Sequence, residues 1–144
     1  MARQLQGYGL ALSGGGYRAS LFHLGVTRRL HELGILQQIT RLSSVSGGSI
    51  LAGFLAHRML ERDTTALAFD DWEAEVSAPF RQLTREDIRT GLLVRHIAWN
   101  WIWPAPRARG LEKAFRKRIG ARRLVELPEK ADDGIEFIFL ATNI

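Results

Sequence analysis

Apolar and polar positions in the first third of the chain follow a strand, helix, strand, helix order. Tyr8 to Ser13 is a short apolar run that predicts a strand. From Tyr17 to Leu33 the apolar residues recur every three or four positions, as one face of a helix requires; they are Ala19, Phe22, Val26, Leu30 and Leu33. Gly34 follows at the position where a left-handed residue commonly ends a helix.

The same pattern then repeats. Ile39 to Val45 predicts a second strand, and Ser49 to Arg62 predicts a second helix. This helix has a wide apolar stripe with small residues between its members, which is typical of a helix buried against a sheet. Two strand–turn–helix units in succession predict an α/β fold with a parallel sheet.

The remainder of the chain is less regular. Residues 63–134 are mostly polar and are interrupted by prolines and glycines, so we interpret them as a helical insertion or lid within a single domain spanning 1–144. Ile135 to Ile144 is apolar and rich in residues that favour strands, and it predicts a buried strand. Because a domain seldom stops inside its most apolar strand, we expect this one to continue beyond Ile144.

Composition narrows the function classes. The chain has 144 residues, of which 46% are hydrophobic and 24% charged, which suits one globular domain. It has no cysteine, which excludes disulfides, zinc–thiolate sites and cysteine nucleophiles. No apolar run approaches the ~18 residues of a membrane span, and the first residues lack a signal-peptide pattern, so we expect a cytoplasmic protein.

The net charge of +5 comes mainly from basic residues between Arg107 and Arg123. Such a face could bind anionic lipid or nucleic acid. We favour a solvated helix face, because Glu112 and Glu126 interrupt the run, and we expect no nucleic-acid partner.

The segment Ser44-Val45-Ser46-Gly47-Gly48 lies between a predicted strand and a predicted helix. A sharp strand-to-helix turn projects a serine hydroxyl out of a sheet as a nucleophile, and the tight turn needs small neighbours such as Ser44, Gly47 and Gly48. The alternative is an ordinary turn in which Ser46 caps the second helix.

Gly14, Gly15 and Gly16 also follow a strand and open a helix. Consecutive residues without Cβ let backbone N–H groups approach a ligand closely, and in acyl transfer such donors form an oxyanion hole. A phosphate-binding P-loop would need Gly-Lys-Ser/Thr, but Tyr17-Arg18 stands there. A dinucleotide fingerprint would need glycine where Ala19 stands. An anion- or nucleotide-binding domain is therefore the least favoured of the three hypotheses.

These motifs together resemble the start of a patatin-like phospholipase domain, which is related to the catalytic core of cytosolic phospholipase A2. The resemblance rests on Ser13 to Ala19, Gly25-Val26, Leu33 to Leu36 and Val45 to Ser49, and it covers about residues 8–60. Phe137 to Asn143 resembles a later core strand of that family. The resemblance implies a three-layer α/β/α fold with a mostly parallel sheet, incomplete at the carboxyl end of this chain.

The resemblance also implies hydrolysis of lipid acyl esters by a Ser-Asp dyad without a metal ion or other cofactor. Ser46 is then the nucleophile and Gly14, Gly15 and Gly16 form the oxyanion hole. Ser44 stands where the family more often has glycine. Arg18 occupies a basic position of the family, where it contacts a phospholipid head group or braces the loop through backbone carbonyls.

The dyad aspartate lies in an Asp-Gly pair in this family. Here that pair is Asp133-Gly134, ahead of the last predicted strand. If that strand is parallel, Asp133 lies at the sheet edge opposite Ser46, so we expect the aspartate beyond Ile144 instead. A second hypothesis follows, that the chain is a catalytically incomplete fragment or a lipid-binding remnant.

Two further groups of residues, the histidines and a tryptophan cluster, bear on the chemistry. The helical histidines His23, His31 and His57 are expected to face solvent or fill gaps, and nothing places a histidine base beside Ser46. Trp99, Trp101 and Trp103 precede the basic segment, a combination that suits peripheral membrane contact. We favour a packed core or lid for them, and we expect a lipid or acyl-ester substrate as the partner.

Overall fold

The computed structural model describes residues 7–85 and 134–141. Two strand–helix units come first, followed by a helical segment and a last strand. The elements are β1 (Tyr8–Leu12), α1 (Gly16–Glu32), a 3₁₀ turn (Leu36–Gln38), β2 (Ile39–Val45), α2 (Gly47–Glu61), a π-helical turn (Glu73–Ser77), α3 (Ala78–Arg85) and β3 (Glu136–Leu140).

The three strands form one parallel sheet in the order β1-β2-β3. Leu12 pairs with Ser44, and Ser44 pairs with Phe139, so the carboxyl ends of all three strands meet at one edge. The parallel α/β fold predicted from the sequence is therefore confirmed. This edge is where open α/β sheets bind their ligands.

The helix α2 packs against all three strands, and α1 packs against α2. The sheet face toward α2 carries Leu12, Leu42 and Phe137, which belong to the main core or pack against it. The opposite face carries residues that are exposed or half-buried within the described part of the chain, such as Ala11, Ser43 and Ile138. Residues 7–85 and 134–141 thus form two layers of the predicted three-layer fold.

The last strand is shorter than predicted. It spans Glu136–Leu140 rather than Ile135 to Ile144, and within the described residues its side chains are half-buried or exposed. Its register is held by an ion pair in which Nε of Arg41 on β2 lies 2.6 Å from Oε2 of Glu136, its partner across the ladder. Phe137 and Phe139 on one face of β3 pack against the core.

The inward face of α1 differs from the predicted apolar stripe. Phe22 and Leu33 belong to that stripe, yet they are 68% and 52% exposed. The buried residues of α1 are Ser20, His23, Leu24 and Thr27. The helix is turned so that Ser20 and His23 reach backbone carbonyl oxygens of Gly47 and Ser13, while Phe22 faces solvent. Gly34 ends this helix with φ +67°, as predicted.

A charged cluster links the end of α2 to the start of the next helical segment. Arg62 bonds Asp70 at 2.6 Å and also bonds Glu75. This guanidinium lowers the pKa of Asp70. Burial acts to raise the pKa of Glu75, but backbone N–H groups and Arg62 outweigh it, so that pKa is lowered too.

Most of the predicted insertion, including His96 and the three tryptophans Trp99, Trp101 and Trp103, lies outside the described residues. Within 7–85 and 134–141, no helix combines the length and the apolar character needed to cross a bilayer.

Candidate active site

Ser46 lies at the turn between β2 and α2 and is exposed to solvent. Its backbone has φ +52° and ψ −117°, in a region that residues with a Cβ rarely adopt. Holding such a conformation costs roughly 1–3 kcal/mol and is typical of functional turns. The Ser46 side chain makes no capping hydrogen bond to α2, so it does not act as an ordinary helix cap.

The glycine loop, Gly14 to Gly16, connects β1 to α1 beside this turn. Gly15 and Gly16 have φ +137° and +65°, conformations that side chains at these positions would strain. A Cβ added to Gly14 would lie 3.2 Å from Cβ and 3.8 Å from Oγ of Ser46. The structure therefore brings the predicted nucleophile and the predicted oxyanion loop into contact at the same sheet edge.

Two glycines of the elbow allow this close approach. A Cβ on Gly47 would lie 2.3 Å from the carbonyl oxygen and 2.7 Å from the nitrogen of Gly16. A Cβ on Gly48 would lie 2.4 Å from the carbonyl oxygen of Leu12. Because the obstacles are backbone atoms, no side-chain rearrangement makes room, and the small residues predicted for the elbow are required by packing.

Two helix amino termini point to this edge, since α1 begins at Gly16 and α2 begins at Gly47. Neither helix has an acidic residue in its first turn, so no carboxylate there offsets the positive ends of the helix dipoles. Arg18 lies exposed in the first turn of α1 and makes no hydrogen bond or ion pair within the described residues, which does not support a loop-bracing role. The edge favours developing negative charge.

Ser44 fits the elbow although glycine is more usual there. Its side chain is 2% exposed, and its hydroxyl accepts a hydrogen bond of 3.2 Å from the Ser49 hydroxyl in the first turn of α2. The pair joins the end of β2 to the start of α2 on the inner side of the turn. A serine here therefore adds a contact across the elbow rather than crowding it.

Sequence reasoning missed two residues of α1 that contact this site. The Ser20 hydroxyl donates to the Gly47 carbonyl oxygen at 2.6 Å and lies 3.1 Å from that of Gly16. Nε2 of His23 lies 3.1 Å from the carbonyl oxygen of Ser13, directly before the glycine loop, and 3.2 Å from its hydroxyl. Of the two expectations for His23, that it faces solvent is wrong, because the side chain is buried against Ser13; no described contact makes it a base for Ser46. Ser20, His23 and Thr27 are spaced by three and four residues along one helix face, and this spacing could have indicated a buried polar face.

The other described histidines lie elsewhere. His31 stacks on Trp72 with ring centroids 5.3 Å apart. His57 is 3.4 Å from Glu61 and borders a cleft of about 320 Å³ between α2 and α3. At 1.5 Å rise per residue, His57 is roughly 16 Å along α2 from Ser46. This cleft is therefore separate from the elbow, and His57 is not a base for Ser46.

The partner carboxylate of the expected dyad is not among the described contacts. Within 7–85 and 134–141, no hydrogen bond joins the Ser46 hydroxyl to a carboxylate. The strand β3 is parallel to β2, so its first residue Glu136, paired with Arg41, lies at the edge opposite Ser46. Asp133 itself lies outside the described residues.

The arrangement as a whole places the exposed Ser46 beside the glycine loop at one sheet edge, which is compatible with attack on a carbonyl. A sequence model of the patatin-like phospholipase family matches residues 10–141, most of the chain. The chain belongs to this family. No curated protein and no solved structure is significantly similar to it.

The patatin-like phospholipase family acts on lipid acyl esters, so membership indicates, in general terms, a lipid acyl hydrolase. The match includes the glycine loop, the elbow and β3, and thus all of the edge described above.

Proposed function

We propose that the chain is a serine lipid acyl hydrolase in which Ser46 is the nucleophile and the glycine-loop amides form the oxyanion hole. The proposal depends on one observation: the exposed Ser46 hydroxyl lies on a turn with positive φ, in contact with Gly14. A capping serine would bond its own helix, and this one does not.

In the proposed reaction, Oγ of Ser46 attacks the carbonyl carbon of an acyl ester, and its proton passes to an aspartate outside the described residues. The carbonyl oxygen becomes an oxyanion, which the amides of the glycine loop stabilise. The ester C–O bond then breaks, the alcohol leaves with the proton, and the acyl group stays on Ser46. Water attacks the acyl-enzyme in the second half-reaction and releases the fatty acid.

The amides are expected to carry much of the catalysis. Loss of a single oxyanion donor typically lowers kcat by about 10²- to 10³-fold. Three features described above support such a role here: consecutive glycines with positive φ, two helix amino termini, and first turns without acidic residues. Arg18, exposed beside the loop, is proposed to contact the phosphate of a phospholipid substrate.

The test uses an alkyl fluorophosphonate, which phosphonylates activated serines, together with hydrolysis of a nitrophenyl acyl ester. We expect the parent chain, which carries Ser46 together with the dyad aspartate, to be labelled at Ser46, with the site identified by mass spectrometry, and Ser46→Ala to lose both labelling and hydrolysis. Ser43→Ala is the matched control, because Ser43 is half-buried on β2 three residues earlier.

Labelling of Ser43 or of another serine with Ser46 unmodified would refute the assignment of the nucleophile. A folded chain that binds phospholipid vesicles but is neither labelled nor active would favour the lipid-binding remnant over the enzyme.

A further inference from the structure

The buried face of α1 carries polar side chains at the point where it meets the glycine loop and the elbow. Ser20 is fully buried and His23 is 6% exposed. They are three residues apart and so lie on one side of the helix. A buried polar side chain requires partners, and both find theirs in the loop and turn around Ser46 rather than in the core.

Ser20 joins the end of the glycine loop to the elbow. Its one hydroxyl hydrogen lies between the carbonyl oxygens of Gly47, at 2.6 Å, and of Gly16, at 3.1 Å. The bond to Gly16 is an ordinary contact with the preceding helical turn, but the bond to Gly47 connects separate elements. Gly47 and Gly16 are the residues whose backbones touch too closely to admit a Cβ.

His23 fixes the other end of the loop. A carbonyl oxygen can only accept, so Nε2 carries the hydrogen and donates it to Ser13 at 3.1 Å. Ser13 follows the last residue of β1 and precedes Gly14. A loop of three glycines has little conformational preference of its own, and its position must be imposed by contacts from outside.

We propose that Ser20 and His23 are positioning residues that hold the glycine loop at both ends against the nucleophile elbow, and thereby set the geometry of the oxyanion hole. Neither residue touches the reacting atoms. This inference rests on the proposed function, since it assigns a role within that site. A displacement of about 1 Å in such a site can lower the rate by about 10²-fold.

The predicted effect falls on kcat rather than KM, because oxyanion donors act chiefly in the transition state. We expect Ser20→Ala and His23→Leu each to lower kcat for the nitrophenyl ester by roughly 10- to 100-fold with KM changed by less than about 2-fold. His23→Gln keeps an N–H donor near the position of Nε2 and should restore kcat to within about 3-fold of the parent chain.

Thr27→Val is the matched control. Thr27 is also fully buried on this face of α1, but among the described residues its hydroxyl bonds only the His23 and Leu24 carbonyls of its own helix. We expect kcat to be unchanged in this variant. Thermal unfolding of all variants separates a loss of the fold from a change in the geometry of the site. If His23→Leu does not fold, His23→Gln is the variant measured at this position.

Equal kcat in Ser20→Ala, His23→Leu and Thr27→Val at similar unfolding temperatures would overturn the positioning role. A kcat of His23→Gln no higher than that of His23→Leu would also count against the positioning role. In either case, phosphonylation of Ser46 in the parent chain would leave the proposed function standing. Absence of that labelling in the parent chain would refute the proposed function itself.

Discussion

The contact between Gly47 and Gly16 gives the sharpest test of the site geometry. In Gly47→Ala the new Cβ would lie 2.3 Å from the Gly16 carbonyl oxygen. A carbon and a carbonyl oxygen in favourable contact are about 3.3–3.6 Å apart, so the loop and the elbow must separate by roughly 1 Å. Gly47 is helical with an ordinary φ, so alanine is strained there only by this contact.

The magnitude follows from two opposed effects. Alanine in place of a glycine inside a helix stabilises by roughly 0.5–1 kcal/mol, and this is an upper bound at Gly47, the first residue of α2. Overpacking against a rigid neighbour destabilises by about 1–3 kcal/mol, and rigid backbone obstacles favour the upper end of that range. We therefore expect a net loss of about 1–2 kcal/mol in Gly47→Ala and, from the displacement of about 1 Å, a loss of about 10²-fold in hydrolysis.

Gly53→Ala is the control, because Gly53 lies on the same helix and a Cβ there meets no atom within 4 Å. This variant should be stabilised by roughly 0.5–1 kcal/mol with unchanged hydrolysis. The difference between the two variants reports the contact alone, and it should appear as unfolding temperatures roughly 3–9 °C apart. Equal stability and equal activity in the two variants would show that the glycine loop and the elbow do not touch.

Three further predictions concern single side chains. Ser46→Gly removes the strain of φ +52° and should stabilise the fold by about 1 kcal/mol while abolishing hydrolysis; unfolding at or below the temperature of Ser46→Ala would contradict this. Arg18→Gln should raise KM for an anionic phospholipid in mixed micelles and leave that for the neutral nitrophenyl ester unchanged; an equal rise for both would exclude a phosphate contact. The pKa values of Asp70 and Glu75 are lowered in the folded chain, so the unfolded chain binds more protons and the free energy of unfolding should fall as pH drops below about 4.5. Urea midpoints measured from pH 3 to 7 should fall less in Arg62→Met than in the parent chain.

The parallel sheet and its two strand–helix units could be predicted from the sequence because the pattern is local. Ile39–Val45 is a strand with the predicted bounds, and Gly34 has the predicted positive φ. Small residues around Ser46 indicated a tight turn, and the close contacts of Gly47 and Gly48 supply its physical cause.

The inward face of α1 could not be predicted in the same way. Periodicity indicates which residues share a helix face, but it does not show which face meets a closely approaching backbone. Near the glycine loop, carbonyl oxygens of Ser13 and Gly47 need donors, so Ser20 and His23 are buried and Phe22 is exposed. The need for these donors arises from contacts between separate elements. In the sequence it is visible only as polar residues spaced along one face of α1.

In the proposed site, the nucleophile and the oxyanion loop come from one contiguous stretch, β1 through the first turn of α2, whose parts are hydrogen-bonded through α1. Changes of length or composition after α2 can therefore alter which acyl chain or head group is bound, while the positions of Ser46 and the glycine loop stay fixed. Such a division would let substrate choice vary while the nucleophile and the oxyanion loop are kept.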